Sequence, residues 1–126
     1  MAALTRTDVQ RWIEEYFSAS SSNDPEAIAA LFTKDATYRD RPFGRPTEGR
    51  DAIVADWLAR RDEPGTWSAS IEPLAVDTDQ NIGVASGSVH YDNGPSYSNL
   101  WVIHFGEGGR CSSFAEWWIE QPHAEV

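Results

Sequence analysis

Tyr16, Asp40, His90 and Glu116 are the side chains best able to hold or move a proton beside apolar neighbours. Tyr16 belongs to a set, Val9, Trp12, Ile13, Tyr16 and Phe17, at the i, i+3, i+4, i+7, i+8 spacing of one helix face. A phenol there either donates to a substrate oxygen that gains charge or bonds a backbone carbonyl within the core. Asp40 follows Tyr38 by two residues in Ala36-Thr37-Tyr38-Arg39-Asp40, so an extended segment puts both on one face. Its carboxylate could move a proton on a carbon next to a carbonyl. Equally, it suits a surface loop already carrying Arg39, Arg41 and Arg45. His90 alternates with Ser86 and Ser88 on the face that also holds Ile82 and Val84. Glu116 shares a face with Phe114 and Trp118, and Trp101 shares one with Ile103 and Phe105. An imidazole and a carboxylate brought together in a chamber would make an acid–base unit or grip a polar substrate group. A slip of one residue in register turns either of them to solvent.

The composition narrows the alternatives. Twenty Asp+Glu against 10 Lys+Arg give a net charge of −10, the wrong sign for nucleic acid or an acidic membrane. The arginines are interrupted by acids and form no stripe. His90, His104 and His123 show no close ligand spacing and Cys111 has no partner, so neither a metal nor an internal disulfide is expected. Gly106-Glu107-Gly108-Gly109 opens no helix and is no phosphate loop. No Gly-x-Ser-x-Gly occurs. Nothing in the chain calls for a cofactor. Met-Ala-Ala-Leu-Thr-Arg-Thr-Asp lacks the apolar run of a signal peptide, and a cytoplasmic protein is expected. Six Trp, five Phe and four Tyr are more flat side chains than a 126-residue core usually needs, so they either line a cavity or pack the core and an oligomer interface.

The elements that must carry these groups follow from period and punctuation. Thr7 and Gln10 have capping-box spacing ahead of the first apolar run, and 18–23 is that helix's polar exit. Asp24-Pro25-Glu26 starts a second helix whose buried stripe is Ile28, Leu31 and Phe32. Residues 35–40 read as a short extended piece, closed by the Pro42-Phe43-Gly44-Arg45-Pro46 loop. A third helix starts at Gly49 or Arg50, buries Ile53, Trp57 and Leu58, and ends at Arg60 and Arg61 before Pro64-Gly65. From there the period becomes 2. Strands are predicted over 67–76, 82–91, 97–105 and 111–119, with Pro73 marking an edge or a bulge. Asp92-Asn93-Gly94 is a hairpin turn whose Asn-Gly pair tolerates positive φ. Helices first and then a meander of strands predict an α+β fold, one domain over 1–126. Val89, Tyr91, Leu100, Val102 and Trp117 are expected on the outer sheet face, an apolar surface that needs cover, so a homodimer through that face is expected.

Asn23-Asp24-Pro25-Glu26-Ala27-Ile28, Leu31-Phe32-Thr33-Lys34-Asp35-Ala36, Gly49-Arg50-Asp51-Ala52-Ile53 and Trp101-Val102-Ile103-His104-Phe105 with Gly109-Arg110 carry a resemblance. Over 9–118 the chain resembles the nuclear-transport-factor-2-like superfamily, in its SnoaL-like and ketosteroid-isomerase-like branch. The resemblance implies a cone-shaped (cystatin-like) fold, three N-terminal helices on a curved, mostly antiparallel sheet. It implies activity more broadly, because isomerases, dehydratases, cyclases, hydrolases and non-catalytic binders share this cone. Ketosteroid isomerases use a tyrosine on the first helix and an aspartate after the first short strand, matched here by Tyr16 and Asp40. Their protonated late-strand aspartate has no match; Trp101 stands there. Limonene-epoxide-hydrolase-like chemistry would want an Asp-Arg-Asp set in the cone, and none can be placed there.

On this resemblance the chain is expected to hold a small hydrophobic molecule and act as a cofactor-independent isomerase, cyclase or dehydratase on an apolar carbonyl compound. Asp40 would be the base, Tyr16 the oxyanion donor, and His90 and Glu116 auxiliary groups beside Trp101. Trp57, Trp101, Ile103, Phe114, Trp118 and Tyr38 would line the substrate wall. The alternatives are a non-catalytic binder of a hydrophobic metabolite and a module whose cone is filled by its own side chains.

Overall fold

A computed structural model describes residues 3–122 except 42 and 64. His123 lies outside the described residues. Helix α1 (Arg6–Ser22) starts two residues earlier than its spacing predicts. Thr5 is the cap: its hydroxyl accepts from the Asp8 N–H at 3.1 Å, and the Asp8 carboxylate accepts from the Thr5 N–H at 2.9 Å. This start puts Leu4 and Val9, both buried, at the two positions of a hydrophobic staple, which the Thr7 alternative would not do. The helix runs on through the polar 18–22 segment and stops at Asn23, in the left-handed region at φ 54°.

Helix α2 (Pro25–Ala29) is capped by Asp24 as the sequence indicates, but is only five residues long. Leu31 and Phe32 are not part of its stripe, since β1 (Phe32–Arg39) begins at Phe32. The Leu31 carbonyl is claimed instead by the Cys111 N–H at 2.8 Å and the Trp12 indole N–H at 3.0 Å, so the helix cannot continue. A two-residue strand, β2 (Thr47–Glu48), lies between the Arg45-Pro46 turn and α3 (Arg50–Ala59). The chain then forms β3 (Trp67–Asp77), β4 (Ile82–Tyr91), β5 (Ser96–Phe105) and β6 (Cys111–Glu120).

These strands make one six-stranded sheet in the order β2-β1-β6-β5-β4-β3. Only β1 and β6 run parallel. The architecture is α+β with a mostly antiparallel sheet. β3 is an edge strand, and its register shifts between Pro73 and Ala75, so both readings of Pro73 hold. The β4–β5 hairpin differs from expectation. Neither Asn93 nor Gly94 takes positive φ; the loop spans 92–95 and is closed by the Tyr91 N–H to the Pro95 carbonyl at 3.3 Å. Four residues are too many for a two-residue primed turn.

The inner face of β4 reads Gly83, Ala85, Gly87, Val89 and Tyr91, the reverse of the sequence expectation. Gly83 and Ala85 pair with fully buried Ile103 and Trp101. A Cβ on Gly83 would stand 2.7 Å from Val9 Cγ2, so its absence lets α1 settle on the sheet. Ile82 and Val84 mimic an inward apolar pattern because the true inward positions are stripped of side chain. Val89 and Tyr91 therefore leave the outer face, where Leu100, Trp117 and Ile119 are exposed.

The small residues let one end of the sheet pack closely around Trp12, whose ring meets Phe32, Trp101, Phe105 and Phe114. Larger residues at the other end of β4 hold helices and sheet apart. Gly87→Ala is expected to lower stability by about 1–3 kcal/mol, read from the urea midpoint. Its Cβ would lie 1.8 Å from the Ser70 carbonyl oxygen, and that oxygen belongs to backbone of the paired strand. No helix among the described residues is long and apolar enough to cross a membrane.

Candidate functional site

The open end of the sheet holds a pocket of about 440 Å³ between α1, α3 and the strands. Tyr16 and Phe17 come from α1, Trp57 from α3, Tyr38 from β1, and Trp101 and Glu116 from the paired strands β5 and β6. Trp101 stands directly opposite Glu116, and Asn99 opposite Trp118, so adjacent inward positions of two strands deliver four wall residues.

Glu116 is the carboxylate of the pocket interior. Its Oε2 accepts from Asn99 Nδ2 at 2.7 Å and from the Trp101 indole N–H at 2.9 Å. Burial pushes its pKa up; the Trp101 and Asn99 hydrogen bonds pull the other way, and the charge of Asp40 adds to the rise. Both bonds fall on one oxygen, leaving Oε1 outside them.

Tyr16 and Tyr38 meet hydroxyl to hydroxyl at 2.8 Å. Burial holds both phenols well above their ordinary pKa, and the nearby Glu116 charge reinforces it. Both therefore keep their protons at neutral pH. One donates to the other, so the pair has a single proton left to offer. The Tyr16 ring is fixed between Trp101 and Trp57, at centroid distances of 4.5 and 4.8 Å, and Tyr38 stacks on Phe114 at 4.7 Å.

Asp40 reaches the pocket at its rim. Its Oδ2 lies 3.1 Å from Arg60 Nη1, and Arg60 Nε lies 3.2 Å from Asp56 Oδ1. The Trp118 indole donates to the Asp40 carbonyl at 2.9 Å. Asp40, Arg60 and Asp56 thus form a charged cluster at the exposed rim rather than within the cone, its members coming from the residue after β1 and the C-terminal end of α3. The Asp40 and Arg60 side chains are 46% and 66% exposed, so water competes for every charge in it.

Other expected residues sit elsewhere. His90 is exposed, on the outer side of β4, and bonds the Ser96 hydroxyl across the hairpin. No His–Glu unit forms, since the reversed register of β4 separates the two. Ile103 and Phe114 are fully buried beneath the pocket and form none of its lining. Tyr38, Trp57, Trp101 and Trp118 do line it. The sequence reading missed Asn99, Phe17, Trp67, Val89 and Tyr91. Asn99 carried a signal: an amide on the same alternating face as Trp101, within a strand otherwise apolar on that face.

A family model described as SnoaL-like domain matches residues 13–114. The chain belongs to the SnoaL-like domain family. Glu116 and Trp118 lie just past the part of this SnoaL-like domain that the family model matches. Solved structures share its fold. An NTF-2 like protein of unknown function from Burkholderia xenovorans LB400 superposes with TM-score 0.72 at 16% identity, over 94% of this chain and 88% of that one. A candidate ketosteroid isomerase from Kribbella flavida DSM 17836 gives 0.70 at 17% identity, over 96% and 84%. The epoxide hydrolase/cyclase-like enzyme SalBIII, of pyran ring formation in the polyether salinomycin, gives 0.65 at 20%, over 87% and 89%. A comparison with curated proteins finds no match.

Proposed function

We propose that this SnoaL-like protein is an acid–base enzyme of the isomerase, cyclase or dehydratase kind. Its substrate is a small, largely apolar compound bearing a carbonyl, and the step needs no resident cofactor. The observation that carries the reading is Glu116: a buried carboxylate with a raised pKa, in an aromatic pocket, near two phenols that keep their protons. A carboxylate whose proton affinity is raised by burial is a stronger proton acceptor than an ordinary one. Glu116 takes a proton from the carbon next to the carbonyl. The Tyr16–Tyr38 pair then donates its free proton, as a hydrogen bond, to the oxygen that becomes an enolate. Returning the proton from Glu116 to another carbon completes an isomerisation. Asp40, the base implied by the resemblance, is assigned instead to clamping the rim through Arg60.

Conversion of a β,γ-unsaturated ketosteroid to its conjugated isomer, followed by ultraviolet absorbance, tests this reading. Turnover above the buffer rate supports it. The second reading, a non-catalytic binder, rests on Trp101 occupying the place of the late-strand acid of ketosteroid isomerases. Tight binding without turnover, unchanged by Glu116→Gln and Tyr16→Phe, would decide for the binder.

A further inference from the structure

The rim of the pocket carries both signs of charge. Arg41, Arg60 and Arg61 line it together with Asp40, Asp56 and Asp62. That is parity, in a chain where acids outnumber bases 20 to 10. Arg60 is paired with two aspartates. Arg41 and Arg61 have no carboxylate partner among the described residues. They approach the mouth from two elements, Arg41 from the segment after β1 and Arg61 just past the end of α3. Arg61 is steadied by donating Nη1 to the Leu58 carbonyl at 3.0 Å, which leaves the rest of its guanidinium fork available. The one rim acid outside the Arg60 clamp is Asp62. Outside that clamp the rim therefore carries two cations and one anion, while Glu116 lies in the interior.

We infer that the ligand of this pocket is an amphipathic carboxylic acid: its apolar ring system lies among the aromatic walls, and its carboxylate is held at the mouth by Arg41 and Arg61. The inference rests on the pocket being the ligand site and adds the polar end of the ligand to it. Guanidinium groups recognise carboxylates by paired, charge-assisted hydrogen bonds. An acid approaching from bulk meets a chain of net charge −10, and the two guanidiniums without a carboxylate partner offset that charge locally at this rim. The arrangement also fixes the direction of binding, carboxylate outward and reacting carbon inward toward Glu116.

Naphthylacetate and naphthylacetamide, nearly equal in shape and differing in charge, give the test by titration calorimetry. The native protein is expected to bind the acid about tenfold more tightly than the amide, as one or two charge-assisted hydrogen bonds at an exposed mouth provide. Arg41→Gln with Arg61→Gln should remove that preference and leave amide binding unchanged. Higher salt should weaken only the acid. Equal affinity for acid and amide in the native protein, or a preference that survives the double substitution, would overturn the carboxylate inference and leave the pocket reading intact. Binding of neither compound would overturn both.

Discussion

Glu116→Gln is expected to lower turnover by about a hundred- to ten-thousandfold, the usual worth of a positioned acid–base group. Gln keeps an oxygen that can accept from the Trp101 indole and the Asn99 amide, so the pocket wall stays in place. What it loses is the capacity to hold a proton. In the native enzyme kcat/KM should rise with pH through the ionisation of Glu116, because the base must be charged, and this limb should vanish in the variant. Asp40→Asn should change turnover only a few-fold: the carboxylate is half in water, and an exposed ion pair such as Asp40–Arg60 is worth about 0.2–1 kcal/mol.

The same substitution has an opposite effect on stability, which separates it from simple damage. Burial gives Glu116 a folded-state pKa above its ordinary 4.5. The folded protein therefore holds that proton more tightly than the unfolded chain. Near pH 4 the group is largely protonated in both states and imposes little cost. As pH rises through the folded value, the buried charge appears and destabilises the fold, fully so above it. Glu116→Gln should accordingly raise the melting temperature at pH 7–8 and change it little near pH 4. A variant inactive yet more stable at neutral pH is the signature of a carboxylate retained for chemistry.

How far the site could be read in advance depended on what each signal measured. Helix α1 was legible because Val9, Trp12, Ile13, Tyr16 and Phe17 bury one stripe, and a 3.6 period survives any detail of packing. Asp24-Pro25 gave the start of α2 for the same local reason, whereas its end did not show, because Leu31 is drawn away by β6 and Trp12, distant in sequence. Glu116 was placed inward through Phe114 and Trp118, and the structure puts it there. His90 was placed by the same rule on β4 and the rule failed. Alternation reports which face is apolar, and on β4 the inner face carries glycine where α1 and β3 come closest. The Asp40–Arg60 contact joins residues 20 apart and depends on how α3 lies against β1, which no local pattern encodes.

Trp101→Ala should be the most damaging single change to the fold, costing about 3–5 kcal/mol by the usual penalty for truncating a buried aromatic. Trp101 is 1% exposed, and its ring meets those of Trp12, Tyr16, Phe17 and Phe114 at centroid distances of 4.5 to 6.3 Å. The void would open into the pocket, so water would reach the carboxylate that the indole now shields. Chemical denaturation measures the loss, and Trp101→Phe divides it into parts. Phe keeps most of the ring contacts and removes the N–H donated to Glu116 at 2.9 Å. That bond stabilises the charged carboxylate, so without it the Glu116 pKa must rise further and the pH limb of kcat/KM must move to higher pH. A Phe variant with native stability, lowered activity at pH 7 and recovered activity at higher pH would assign the indole a positioning and electrostatic role. An unchanged pH profile in that variant would mean that Glu116 is not the group whose ionisation the reaction follows.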